Sequence, residues 1–246
     1  MRDTTALHPE LQQKLYDLKK MCRKNGYEIG ISECIRTAAE QDALYAQGRT
    51  KPGPKVTNAK GSSYSSQHQW GIAADFYIDM DIDGDGSKSD DAFNNSTKLF
   101  DRVGAIAKSV GLGWGGDWKS PVDKPHIYLP QWGSTTANLK RQFGTPEKFM
   151  KTWVKCPVFE TDKSYVTTQA CYLRKSPGTG DNKVDYASLS DTLKKKCRKK
   201  TGFAIFKKSQ GFFLKKVKFS GGNVWGQMKS GYWVPLVHKG EVRAEK

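Results

Sequence analysis

The chain has 246 residues with 41 Lys and Arg against 25 Asp and Glu, a net charge of +16, and 37% of its residues are hydrophobic. This is the composition of a soluble protein long enough for two modules, and no run is apolar enough to span a membrane. Five cysteines, Cys22, Cys34, Cys156, Cys171 and Cys197, are odd in number and lack paired metal-ligand spacing, which argues against a disulfide framework and leaves them as small buried apolar side chains.

Met1 to Glu10 lacks the apolar core of a signal peptide, so the expectation is synthesis in the cytoplasm without leader-dependent export. An amphipathic helix from about Pro9 to Lys24 leads through Asn25-Gly26 into a strand at Tyr27 to Cys34. A second helix covers Ala38 to Gln47, and the Gly-, Pro- and Lys-rich stretch from Gly48 to Ser65 reads as a long loop over a site. Ile72 to Ile78 is short, apolar and partly aromatic, as expected of a buried strand, and Asp75 is its only charge. A carboxylate in such a run needs compensation, from backbone amides, from Arg36 or from a metal ion. Between Asn94 and Val110 the apolar residues keep a helical period that closes on Gly111, and His126 to Leu129 is a short strand. The expected architecture is α+β, with helices on a small antiparallel sheet and a metal at one edge.

His68, Asp75 and His126 supply three zinc ligands, and a catalytic zinc takes three such ligands and leaves its fourth position to a water whose pKa falls to about 7. Asp123, three residues before His126, is a spare acid placed to take that proton as general base. The order Ser66-x-His68-x6-Asp75, followed by Asp123-x-x-His126, resembles the zinc-dependent cell-wall peptidases typified by the D-Ala-D-Ala dipeptidases and carboxypeptidases. The similarity is greatest to the L-alanyl-D-glutamate endopeptidase branch of bacteriophage endolysins and bacterial wall hydrolases. Residues 36–50, 57–61 and 113–118 add to the resemblance, which covers roughly residues 8 to 132. It implies zinc on His68, Asp75 and His126, Asp123 as base, and Arg36 as the cationic group for substrate and developing oxyanion. Ser66 and Trp118 would contact substrate. Asp123 stands where several relatives have Glu, so its reach is shorter.

A second metal pattern occupies Asp79 to Asp91. With Asp81, Asp83 and Asp85 as ligands and Gly86 as the turn it matches the first half of an EF-hand loop, but the twelfth position is Ala92 rather than a bidentate Glu. Two readings stand: a calcium site, or a solvated acidic loop that self-repulsion keeps mobile.

Residues 133–160 read as a helical connector, broken at Gly144-Thr145-Pro146, between a peptidase domain at 1–132 and a second domain at 161–246. From residue 151 onward about 21 Lys and Arg face about 7 Asp and Glu, so about +14 of the +16 lies there. Short β segments at 165–167, 171–174, 202–206, 212–219, 223–228 and 231–237 suggest a small barrel. Leu173 to Gly178 and Val224 to Val234 resemble a bacterial SH3-like wall-binding domain, with Trp225, Tyr232 and Trp233 as groove residues and Lys194 to Lys200 as an inserted basic loop.

The whole resembles a modular lysin, a monomer that cuts the peptidoglycan stem peptide at L-Ala-D-Glu after release to the wall. Its tail would meet peptidoglycan or anionic wall polymers such as teichoic acids, with no specific nucleic acid and no membrane as partner. D-Ala-D-Ala cleavage is the alternative bond, and a zinc-bearing, non-enzymatic binding module is the alternative class, against which Asp123 argues.

Overall fold

Leu11, Leu15, Leu18 and Cys22 fall on one face of a helix, and α1 (Pro9–Lys24) buries all four in the computed structural model, which describes residues 3–246. Each buried Leu contributes about 1.5–3 kcal/mol. Pro9 opens the helix, where its missing N–H costs nothing, and the His8 imidazole caps it by accepting from Glu10 N at 3.1 Å. β1 (Ile29–Glu33) follows, then α2 (Ala38–Ala46), started by a capping box in which Thr37 and Glu40 satisfy each other's amides.

Beyond these lie β2 (Ala73–Ile78), α3 (Leu99–Ser109), β3 (Gly113–Trp114) and β4 (His126–Tyr128), and the four strands form one antiparallel sheet in the order β1-β2-β4-β3. α3 begins five residues later than its period suggests, because Asn94 and Ser96 form a side-chain turn and Lys98 sits in the left-handed region at φ 56°. Leu99, Phe100, Val103 and Ala107 join the α1 face and strand residues Ile31, Ala74, Phe76 and Ile127 in one core.

The chain divides into two compact units, one ending at Trp153 and the next running from Val154 to Lys246. α4 (Ala137–Phe143) and α5 (Pro146–Met150) occupy the stretch read as a connector, but Leu139 and Phe149 lie in the core of the first unit. Gly144-Thr145-Pro146 does break the helix, with Thr145 capping α5.

In the second unit, β5 (Lys163–Thr167), β6 (Cys171–Tyr172), α6 (Asp191–Lys196), β7 (Cys197–Lys200), β8 (Phe203–Phe206), β9 (Gly211–Ser220), β10 (Asn223–Met228), β11 (Trp233–His238), β12 (Glu241–Val242) and β13 (Ala244–Glu245) form a six-stranded sheet, β12-β11-β10-β9-β5-β13, and a three-stranded sheet, β6-β8-β7. The expected barrel is not closed. The two outermost strands of the larger sheet are nevertheless consecutive in the chain, joined through Arg243, whose N–H donates to Leu236 O and whose carbonyl accepts from Thr168 N. Lys194 to Lys200 is not a loop: Ser190 caps α6, and the chain then extends as β7, burying Cys197 and pairing with β8 while its charges face water. Among the described residues no helix is long and apolar enough to cross a membrane.

Candidate metal centre and active site

Asp75 and His126 are direct cross-strand partners of the β2–β4 ladder, so their side chains leave the same face at neighbouring points. His68 arrives from a 3₁₀ turn, Gln67–Trp70, that ends on Gly71 and places the ring between them. His126 Nδ1 lies 3.0 Å and His68 Nε2 3.3 Å from the same Asp75 oxygen, Oδ1. The other ring nitrogens are engaged: His68 Nδ1 donates to Cys34 O at 2.8 Å, and His126 Nε2 donates to Gln67 Oε1 at 2.8 Å.

These outer bonds fix both tautomers and turn the bare nitrogens inward. Two imidazole lone pairs and a carboxylate oxygen then converge with no hydrogen between them. That arrangement is repulsive unless a cation sits among them, and the donor set suits zinc. Both imidazoles are buried, as a metal site shielded from water requires. Burial pushes the His126 pKa down, favouring the neutral ligand form, against the opposing pull of Asp75. Burial alone would raise the Asp75 carboxyl, but its interactions with His68 and His126 outweigh it and hold it well below the usual carboxylate range, ionised as a ligand must be.

Arg36 is the partner of Asp75 as well as a cleft residue. Its NH2 lies 3.4 Å from Asp75 Oδ2, Nε donates to Glu33 at 2.9 Å, and NH1 donates to Gln41 Oε1. Two of the three compensations open for Asp75, the guanidinium and the metal position, are therefore present together. Gln41 is fully buried and also bonds Thr57 Oγ1 and Ala59 O, which ties the long loop to the guanidinium.

Asp123 is half-buried on the same cleft, held by its backbone: its N–H donates to Gly115 O, and its carbonyl accepts from His126 N. A Cβ at Gly115 would run into the Asp123 carbonyl, which gives the Trp114-Gly115-Gly116 turn its physical reason. Trp114 Nε1 donating to Lys124 O at 2.7 Å pins the next residue. Burial, and then the charge of Asp75, raise the Asp123 pKa. The cleft has a volume of about 430 Å³, and Ser66, Trp118, Thr57 and Thr135 line it with the groups above. The Trp118 ring lies 4.9 Å from that of His126, and its Nε1 is buried without a partner.

Oxygens of Asp81, Asp83 and Asp85 lie within 4.8 Å of one another. All three residues are exposed, and their carboxylates accept from backbone amides of their own loop, Asp81 from Gly84 and Gly86, Asp83 from Asp85, and Asp85 from Ser87. A fourth acid anchors the loop: Asp91, buried, accepts from the amides of Ile82 and Asp83 and from Asn94 Nδ2. In the second unit Trp225 is buried and lines a pocket, whereas Tyr232 packs against the core and Trp233 is half-buried on β11, so the three do not share that pocket.

Gln67, Gln41 and Glu33 complete the centre and were not legible as functional residues in the sequence. The one usable signal was the need of each ligand imidazole for an acceptor on its far nitrogen, and Gln67 adjoins His68.

A buried imidazole pair and carboxylate beside a half-buried acid define a hydrolytic metal centre. A family described as D-alanyl-D-alanine carboxypeptidase matches residues 59–129, which contain all four of these groups. The peptidoglycan L-alanyl-D-glutamate endopeptidase CwlK of Bacillus subtilis (strain 168) is 38% identical over 132 residues, covering 50% of this chain and 73% of that protein. The chain therefore belongs to the M15 peptidase family and is a metallopeptidase. The L-alanyl-D-glutamate peptidase of Listeria phage A118 is 32% identical over 105 residues, covering 42% of this chain and 31% of its own length. Among solved structures, the Serratia marcescens L-Ala D-Glu endopeptidase ChiX matches with a TM-score of 0.36 at 18% identity, over 51% of this chain and 82% of that one. The D,D-pentapeptidase VanY, in complex with Zn(II), matches at 0.35 and 17% identity, over 58% and 83%.

Proposed function

We propose that this chain hydrolyses the peptidoglycan stem peptide at the L-Ala-D-Glu bond, with zinc held by His68, Asp75 and His126. The activities named for the Bacillus and phage relatives support the bond, and the donor set supports the metal. The observation that carries the reading is the convergence of two bare ring nitrogens on one Asp75 oxygen. When bound, zinc supplies Lewis acidity, polarising a carbonyl and acidifying water.

The chain's own groups do the rest. Asp123 takes a proton from the attacking water and delivers it to the leaving amine, and its raised pKa suits both transfers. Arg36 has five N–H donors, of which three hold Glu33, Gln41 and Asp75, so its first task is to orient the Asp75 carboxylate. Its remaining donors are available to a substrate carboxylate or developing oxyanion. Trp118 walls the cleft beside His126 and offers its unpartnered Nε1 to a peptide carbonyl, and Ser66 also lines the cleft.

The basic second unit, centred on residues 161–246, is assigned to wall binding after release of the protein to the wall. Its charge and its small β architecture support this role. Calcium at Asp81, Asp83 and Asp85 is a subsidiary part of the proposal, supported by their convergence. Titrating calcium into chelated protein should change protease cleavage within the loop, and an unchanged pattern up to millimolar calcium removes this part.

Mass spectrometry of digested peptidoglycan tests the main reading. A new N-terminal D-Glu is expected, whereas free D-Ala would move the activity to the carboxypeptidase reaction.

A further inference from the structure

The second unit contains a pocket of about 200 Å³ between the β6 region, β10, β11 and the crossing at Arg243. No Asp or Glu lines it, and two arginines do. Arg174 is buried, and its NH1 is fixed by Gly180 O at 2.7 Å and Asn182 Oδ1 at 2.8 Å, with no carboxylate in ion-pair reach among the described residues. Arg243 binds Glu241 through NH2 and Gln169 through NH1, but its Nε is buried with no partner. His238 Nδ1 is likewise buried and unpartnered.

Two orphaned nitrogens therefore belong to side chains that line a small cavity with two guanidinium groups. A charged N–H left without an acceptor is among the costliest groups to bury, so the arrangement points to a missing acceptor. The local field has the matching sign: burial, and then the positive charges of Arg243, Lys239 and Arg174, hold the His238 imidazole below its ordinary pKa. Burial pushes the Cys171 thiol up to about 12, so no thiolate supplies the missing negative charge. The buried Trp225 forms an apolar wall.

We propose that this pocket is an oxyanion site that takes one phosphate or carboxylate group, with Arg243 Nε and Nδ1-protonated His238 as its donors and Arg174 as its second charge. Its volume suits one headgroup rather than a polymer segment, so an extended anion would be held by one group at a time. Two sources share the chemistry, the phosphodiester of a wall polymer and a stem-peptide carboxylate. The site is independent of the peptidase reading, and a His68→Ala chain should retain it.

The test is calorimetric titration of the full chain with inorganic phosphate and with acetate, at constant ionic strength in chloride. Saturable binding of at least one anion is expected, weakened tenfold or more by Arg243→Gln and by His238→Leu, and unchanged by Lys194→Gln/Lys199→Gln on the basic α6–β7 segment. Thermal melting with and without the anion guards against misfolding: the anion should raise the Tm of the wild-type chain and not that of a folded variant. Saturation by phosphate, with wall binding lost after phosphodiester stripping, identifies the polymer. Saturation by acetate, with wall binding kept, identifies the peptide. Absence of saturation by either anion, equal affinity in wild type and both pocket variants, or an equal loss from the surface lysine pair overturns the proposal.

Discussion

The imidazole of His126 is usable as a ligand only because Gln67 accepts from its far nitrogen. Gln67→Leu keeps the volume and removes the acceptor, so zinc affinity should fall about 10–100-fold, read by competition with a chromogenic chelator. Asp123→Asn should retain zinc in elemental analysis and lose about 10²–10⁴-fold in muropeptide cleavage; undiminished cleavage would exclude the base role. His68→Ala should lose both metal and activity. The four residues that gather in the cleft stand out in the sequence because their types and spacing are local features of it. Their supports do not, since Gln67 and His126 meet only when a turn and a strand 59 positions apart pack together. Arg36 was read as a substrate group, and its prior commitment to Glu33, Gln41 and Asp75 arises from tertiary neighbours that no spacing rule contains.

Helices α1 and α2 were legible nearly to the residue, because Pro9 and the Thr37–Glu40 box mark their starts. The ends that went astray were those where tertiary burial overrides local pattern. α4 and α5 join the first core through Leu139 and Phe149, and the basic run becomes a strand by burying Cys197. The cap of α1 also carries a pH dependence. His8 is packed among Trp132, Phe149 and Trp153, and burial pushes its pKa down to about 4 from an ordinary 6.5. Because the folded pKa of this base is depressed, the unfolded chain takes up the proton first as the medium acidifies. Stability is whole above pH 6.5 and declines as pH falls from there towards 4, by up to about 3 kcal/mol at the lower end. Protonation also removes the Nδ1 acceptor that caps Glu10 N. Urea melts across this window should show a shallower decline for His8→Asn, which keeps a capping oxygen and does not titrate. An identical slope would assign the acid sensitivity to other groups.

Each unit has its own hydrophobic core, so the two should be separable. A chain ending at residue 153 should cleave soluble muropeptides at the rate of the whole protein but sediment poorly with intact walls. Unchanged wall pull-down would place wall binding in the first unit. With about +14 of the charge in residues 151–246, binding of the whole chain to walls should weaken steeply between low and physiological salt, while cleavage of soluble peptide changes little. The jump of basic charge near residue 151 lies close to the division between the units at Trp153, but the open sheet was not legible, because a sequence pattern records strands and not whether the last one returns to the first.

The rung shared by Asp75 and His126 reaches beyond catalysis. A slip of either strand by one position would turn that side chain to the opposite face of the sheet, and a ribosome-bound polypeptide that has not yet reached residue 126 possesses neither the rung nor the third donor. Cutting power therefore appears in a single step, when distant parts of the polypeptide zip together, and no half-built blade exists along the way.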